Sequence, residues 1–191
     1  MRLLNQLLLA AAVCSALSGC FPVVAGGAAA GGLAAADRRT SGAYVEDEGI
    51  EWKAQTQIND ALGDNIHVNV TSYNRNVLLT GEAFDETAKG KAEAIAKSID
   101  NVRNVTNELQ VAGKSSLTSR SNDTLLTSKV KGQMLKENRF PANYVKVVTE
   151  KSVVYLMGMV TRQEAEMAVE IARNTDGVEK VVKVFEYVVE Q

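Results

Sequence analysis

Three places in this chain carry side chains suited to chemistry: a cysteine, one helix face and a lone histidine. Cys20 follows Leu17-Ser18-Gly19. Small residues ahead of a thiol let the chain enter a peptidase cleft, and a cysteine right after the cut offers a thiol for diacylglycerol transfer. Cys14 is the poorer acceptor, because bulky Val13 precedes it. These are the only cysteines, so a chain cut before Cys20 and acylated there keeps no thiol for a disulfide, a redox centre or a metal. His67 is the only histidine and alternates against Val68 and Val70. That spacing reads as a surface residue, with no Cys or second His to complete a zinc site. No Ser-His-Asp or Cys-His set is formed, and no glycine-rich stretch has the flanking strand and Lys-Ser/Thr of a phosphate loop. The expectation is a non-enzymatic chain with no catalytic residue, no cofactor and no metal.

The helix face lies in residues 123–137. Placed at about 100° per residue, Leu126, Val130 and Met134 fall within roughly 80° and define a buried stripe. Leu125 and Leu135 point away from it, and Ser128, Lys129, Gly132 and Lys136 lie on the same outward side. Exposed leucines beside lysines suit a bilayer surface: the leucines enter the acyl boundary and the lysines meet phosphates. The other reading packs both leucines on the first half of the chain or on the segment preceding it. The corresponding earlier helix presents Trp52, Lys53, Thr56, Asn59 and Asp60, a nearly neutral set. Trp52 suits an interfacial anchor or, as favoured here, a cover over a junction between modules.

These side chains need elements to hold them. The chain has 191 residues, 46% hydrophobic and 23% charged, with net charge −2. That balance fits small globular domains and provides no global field for nucleic acid. Arg2 followed by the apolar run Leu3 to Leu17 has the layout of a secretory signal, too short for a membrane span. Residues 1–19 are therefore expected to be a lipoprotein signal peptide. Residues 20–49 are expected to be the acylated cysteine and a flexible Gly/Ala-rich tether, the alternative being a segment lying on the bilayer.

The remainder repeats itself. Residues 50–112 and 123–191 each read helix, strand, strand, helix, strand, joined by a hydrophilic linker over 113–122. Ile50, Ala54, Ile58 and Leu62 match Leu126, Val130 and Met134 as first-helix stripes. Val68-Asn69-Val70 matches Val145-Lys146-Val147, and Val77 to Gly81 matches Val154 to Gly158. Alanine-rich second helices follow, ending near Asn101 and Gly177, which tolerate a left-handed cap. The last strands are expected over Val105 to Val111 and Val181 to Val189. The fold class is α+β, each module αββαβ with a three-stranded mixed sheet packed against two helices. About 60 residues make a marginal core, so the two modules are expected to pack together.

At these residues the chain resembles a known family. Leu17-Ser18-Gly19-Cys20 is similar to the bacterial lipobox at every position. The strand ending in Gly81 or Gly158, the alanine-rich helix and then Asp100-Asn101-Val102 or Asp176-Gly177-Val178 resemble the BON domain. Two such domains behind a lipobox are similar to dual-BON-domain outer-membrane lipoproteins. The stretches Ser121 to Thr124, Val147 to Glu150 and Leu156 to Thr161 add to that likeness. The first module departs from the pattern at Asn101, where the family has Gly.

The resemblance implies a lipid-anchored protein of the outer membrane facing the periplasm, enriched at the division site, and Phe21 in place of Asp after the cysteine agrees. It implies binding of anionic phospholipid through the first helix of the second domain, in support of envelope integrity and division-site remodelling. It also implies possible envelope partners, namely amidase regulators and the outer-membrane assembly machinery, so that a protein-binding adaptor is the alternative function.

Overall fold

The computed structural model describes residues 37–113 and 116–189. The expected signal peptide, Cys20 and the tether up to residue 36 lie outside the described residues. The first module contains α1 (Ser41–Leu62), β1 (Ile66–Tyr73), β2 (Asn76–Ala83), α2 (Glu86–Ser98), β3 (Asn104–Asn107) and β4 (Gln110–Val111). The second contains α3 (Leu117–Glu137), β5 (Val145–Glu150), β6 (Val153–Val160), α4 (Arg162–Arg173) and β7 (Lys180–Tyr187).

Both modules have the αββαβ order. β1 pairs antiparallel with β2, while β3 and β4 pair parallel with β2. In the second module β5 is antiparallel and β7 parallel to the central β6. The single last strand expected in the first module is in fact two, which makes its sheet four-stranded rather than three-stranded. Leu109 is buried at the break. The side chain of Asn107 accepts its backbone N–H, so the chain turns inward there instead of continuing the ladder.

The helix stripes fall where the periodicity puts them. Ile50, Ala54 and Ile58 are buried with Val68, Val77, Leu79 and the alanines of α2. Val130 and Met134 pack with Val147, Val154, Leu156 and the alanines of α4. Small residues on α2 and α4 let those helices lie close to the sheets. Their starts are capped: Asp85 accepts from Ala88 N–H, and Thr161 and Glu164 form a reciprocal capping box.

Two boundaries differ from expectation. α1 begins at Ser41, capped by Thr40, not at residue 50, so 41–49 is helix rather than tether. α3 begins at Leu117, inside the expected linker. The acidic lead-in Glu46-Asp47-Glu48 is part of α1, and Asp47 is only 2% exposed. Its carboxylate accepts from the backbone N–H groups of Asn74 (2.8 Å) and Arg75 (2.7 Å) and from the Ser72 hydroxyl. Asn74 and Arg75 both have positive φ, the pattern of a two-residue type I′ turn. The second module repeats the device. Asp123 accepts from the N–H groups of Lys151 and Ser152, each at 2.9 Å, and both residues have positive φ. One aspartate, three residues before the first stripe residue, thus ties the helix to the hairpin turn in each module.

The modules meet sheet face to sheet face. Tyr73, Leu78, Tyr155 and Met157 form a third buried cluster, drawn from the strand positions that point away from the helices. Trp52 does not cover this junction: it is 70% exposed on the outer side of α1. Residues 37–39 do bind there. Arg38 donates to the Met159 carbonyl (2.9 Å), pairs with Glu164 and lies over the Tyr144 ring. Arg39 pairs with Asp37 and Asp47 and lies over Tyr73. Adjacent arginines therefore hold one module each.

Candidate functional site

α3 is held from several directions. Ser116 caps its start, and Asn138, with φ of 47°, closes its end through an N–H bond to the Met134 carbonyl. Leu126, Val130 and Met134 are buried, Asp123 is tied to the hairpin turn, and the Thr127 hydroxyl bonds that of Thr149 at 2.7 Å. These contacts fix the rotation of the helix about its axis. Its other side is then defined. Leu125 is 63% and Leu135 69% exposed, and Ser128, Lys129, Gly132 and Lys136 are exposed with them. The two leucines, ten residues apart, stand about 15 Å apart along the axis. Neither is buried by the first module.

Among the described residues no acidic group pairs with Lys129 or Lys136. The Ser128 hydroxyl instead donates back to the Thr124 carbonyl at 3.0 Å. Arg139, which by position adds positive charge, gives it to Glu170 at 2.8 Å and to Glu137. Leu135 also borders a groove lined by Lys131, Tyr44, Arg39 and Tyr73. Arg39 therefore lies beside the C-terminal half of α3. Among the described residues no helix is long and apolar enough to cross a membrane.

A second cluster escaped the sequence reading. His67 does point away from the core of its own module, but it is not a surface residue. Its Nδ1 lies 3.0 Å from Glu82 Oε2 in the junction. The other oxygen of Glu82 meets Lys151 Nζ at 2.9 Å, and Asn69 Nδ2 donates to Glu150 Oε2 at 3.0 Å. Burial, and then the nearby charge of Glu82, push the Glu150 carboxyl above the usual carboxylate range despite the Asn69 hydrogen bond. The available sign was the short apolar run in each central strand, Val77 to Leu79 and Val153 to Met157. Such a run means that both sheet faces are covered, so polar residues facing outward from neighbouring strands are enclosed as well.

Comparison with known proteins settles the family. The model of the BON domain matches residues 47–113 and again 122–188. The chain belongs to the BON-domain family. Outer membrane lipoprotein DolP of Haemophilus influenzae is 40% identical to it over 173 residues, covering 90% of each chain. A 21 kDa hemolysin of Actinobacillus pleuropneumoniae is 35% identical over 154 residues, 80% of this chain and 79% of that one. Osmotically-inducible protein Y of Escherichia coli is 31% identical over 146 residues, 73% of this chain and 72% of that one.

The glycines of the BON resemblance have a structural cause here. A Cβ on Gly81 would stand 2.1 Å from the His67 carbonyl oxygen, and φ there is +115°. A Cβ on Gly158 would stand 2.3 Å from the Tyr144 carbonyl oxygen. At both places the neighbouring backbone passes too close for any side chain.

Proposed function

We propose that this BON-domain protein is an outer-membrane lipoprotein, anchored through Cys20, that docks on anionic phospholipid with the outward face of α3. The observation that carries the reading is the pair Leu125 and Leu135, both well exposed on a helix whose opposite side is buried, with Lys129 and Lys136 between and beside them. The leucines supply apolar area for the acyl boundary. Each lysine near an anionic leaflet contributes about 1 kcal/mol. Gly132 leaves the middle of the face without a side chain, so headgroups can approach the helix closely. The name of the Haemophilus influenzae relative supports the location, and Leu17-Ser18-Gly19-Cys20 supports the anchor. An acylated Cys20 would hold the chain at the membrane, so surface binding becomes nearly intramolecular and weak contacts suffice. Support of envelope integrity and of division-site remodelling follows from this reading as the role of a membrane-docked scaffold.

The test uses the chain from residue 21 onward, lacking the lipid. It should bind vesicles rich in phosphatidylglycerol better than neutral ones, and salt should weaken the binding. Changing Leu125 and Leu135 to Glu removes roughly 2–4 kcal/mol of apolar transfer, a loss of at least about thirtyfold in vesicle affinity. Both sites are exposed, so stability should change by less than about 0.5 kcal/mol. Vesicle binding that survives the double substitution rejects the assignment. A single envelope protein captured on this face without lipid binding would instead favour an adaptor.

A further inference from the structure

We propose that His67, Glu82 and Glu150 bind one divalent transition-metal ion of the zinc class across the junction between the two modules. The proposal is independent of the lipid-binding face, which lies on the far side of the second module's helix layer. His67 and Glu82 come from neighbouring strands β1 and β2, directly paired in register. Glu150 ends β5 of the other module. One ligand atom from each of the three lies within 4.8 Å of the other two.

Three features argue for an ion here. The first is an acceptor left over. Glu150 is 5% exposed, and among the described residues its Oε1 has no hydrogen-bond partner. A buried carboxylate oxygen without a donor is costly, and a cation is one way to satisfy it. The second is charge. The carboxylates of Glu82 and Glu150 are close enough to oppose each other's ionisation, and a cation between them relieves that repulsion. The nearby Asp123, held by the backbone N–H groups of Lys151 and Ser152, adds to that repulsion. The third is support. Lys151 holds one oxygen of Glu82, and Asn69 holds one oxygen of Glu150. Glu82 turns its other oxygen to His67 and Glu150 keeps Oε1 without a donor among the described residues, the kind of outer-shell support that orients metal ligands.

The ligand set selects the class. One imidazole nitrogen with two carboxylate oxygens suits zinc and its neighbours better than calcium or magnesium, which take oxygen alone. Zinc bonds of about 2.0–2.2 Å place ligand atoms about 3.3 Å apart. His67 and Glu82 already meet that spacing at 3.0 Å, and Glu150, within 4.8 Å of both, must close in by up to about 1.5 Å. A water molecule completes a tetrahedron. Because its ligands come from both modules, the ion would act as a removable clamp between them.

The test uses the full untagged chain, stripped with a chelator and titrated with Zn²⁺ alone. Calorimetry should give one ion per chain, His67→Gln and Glu150→Gln should each weaken binding more than tenfold, and Asn69→Ala should weaken it by about 10- to 100-fold. His67 is the only histidine, so its ring NMR signals report this site even if a variant fails to fold. They should shift and saturate at one equivalent. No saturable binding, unmoved His67 signals, or wild-type affinity in both glutamine variants overturns the proposal.

Discussion

Replacing Asp47 by Ala tests whether one buried carboxylate organises the first module. The carboxylate receives four donors: the Ser72 hydroxyl, the Asn74 and Arg75 backbone N–H groups, and Arg39 Nη1. Two of these have an escape. The Ser72 hydroxyl can rotate, and Arg39 keeps its pair with Asp37. The two backbone N–H groups cannot move, because both residues are held at positive φ in the turn. Leaving a buried donor unsatisfied costs about 1–3 kcal/mol, so the turn alone predicts a loss of about 2–6 kcal/mol. Against a total stability of about 5–15 kcal/mol, that shift is large. Urea unfolding followed by circular dichroism measures it directly, with an unchanged slope showing that the same surface is exposed. A loss below about 1 kcal/mol would mean that water replaces the carboxylate at the turn, and the clamp argument would fail.

Asp123→Ala removes the same two turn bonds, but their donors Lys151 and Ser152 are only half-buried, so the same denaturation assay should show a smaller loss, about 2–4 kcal/mol. Gly158→Ala places a methyl group against the Tyr144 carbonyl, a backbone atom that cannot rotate away. It should cost about 1–3 kcal/mol, a melting-temperature drop of roughly 3–10 °C in a calorimetric scan. Burial raises the Glu164 carboxyl, but hydrogen bonds from Arg38 and from the Thr161 N–H outweigh it and hold the pKa below the ordinary value. A depressed carboxyl stabilises the fold above its ordinary pKa and loses that contribution as pH falls through the folded value. Arg38→Ala should therefore flatten the stability loss measured between neutral pH and about pH 3. A profile parallel to the wild type would show that Arg38 does not hold the Glu164 charge.

Much of the fold could be read from local periodicity. The stripes Ile50-Ala54-Ile58 and Leu126-Val130-Met134 are buried as their spacing demands, and Asn101 and Gly177 do adopt positive φ. The turn at Asn74-Arg75 was legible as a polar break, but the carboxylate beneath it was not. An aspartate in an acidic run ordinarily faces solvent, and its burial depends on a turn 27 residues away. The outward positions of Leu125 and Leu135 were legible because one buried stripe fixes the opposite side of a helix. Trp52 misled, since a large apolar side chain shows only that cover would be favourable, not that a partner is within reach.

The sequence by itself determined the element order, the doubling of one αββαβ module, the buried side of each helix and the membership in the BON family. Those properties arise within a few residues or within one module, where side-chain period and backbone tolerance leave a direct record. The tertiary structure alone decided which sheet faces meet, that Arg38 and Arg39 each grip a different module, and that His67 lies between Glu82 and Glu150. The contacts between the modules join residues as far apart as Arg38 and Glu164, 126 positions. A strand's alternation tells which side chains share a face, while the neighbour that covers that face is chosen by packing of the whole molecule.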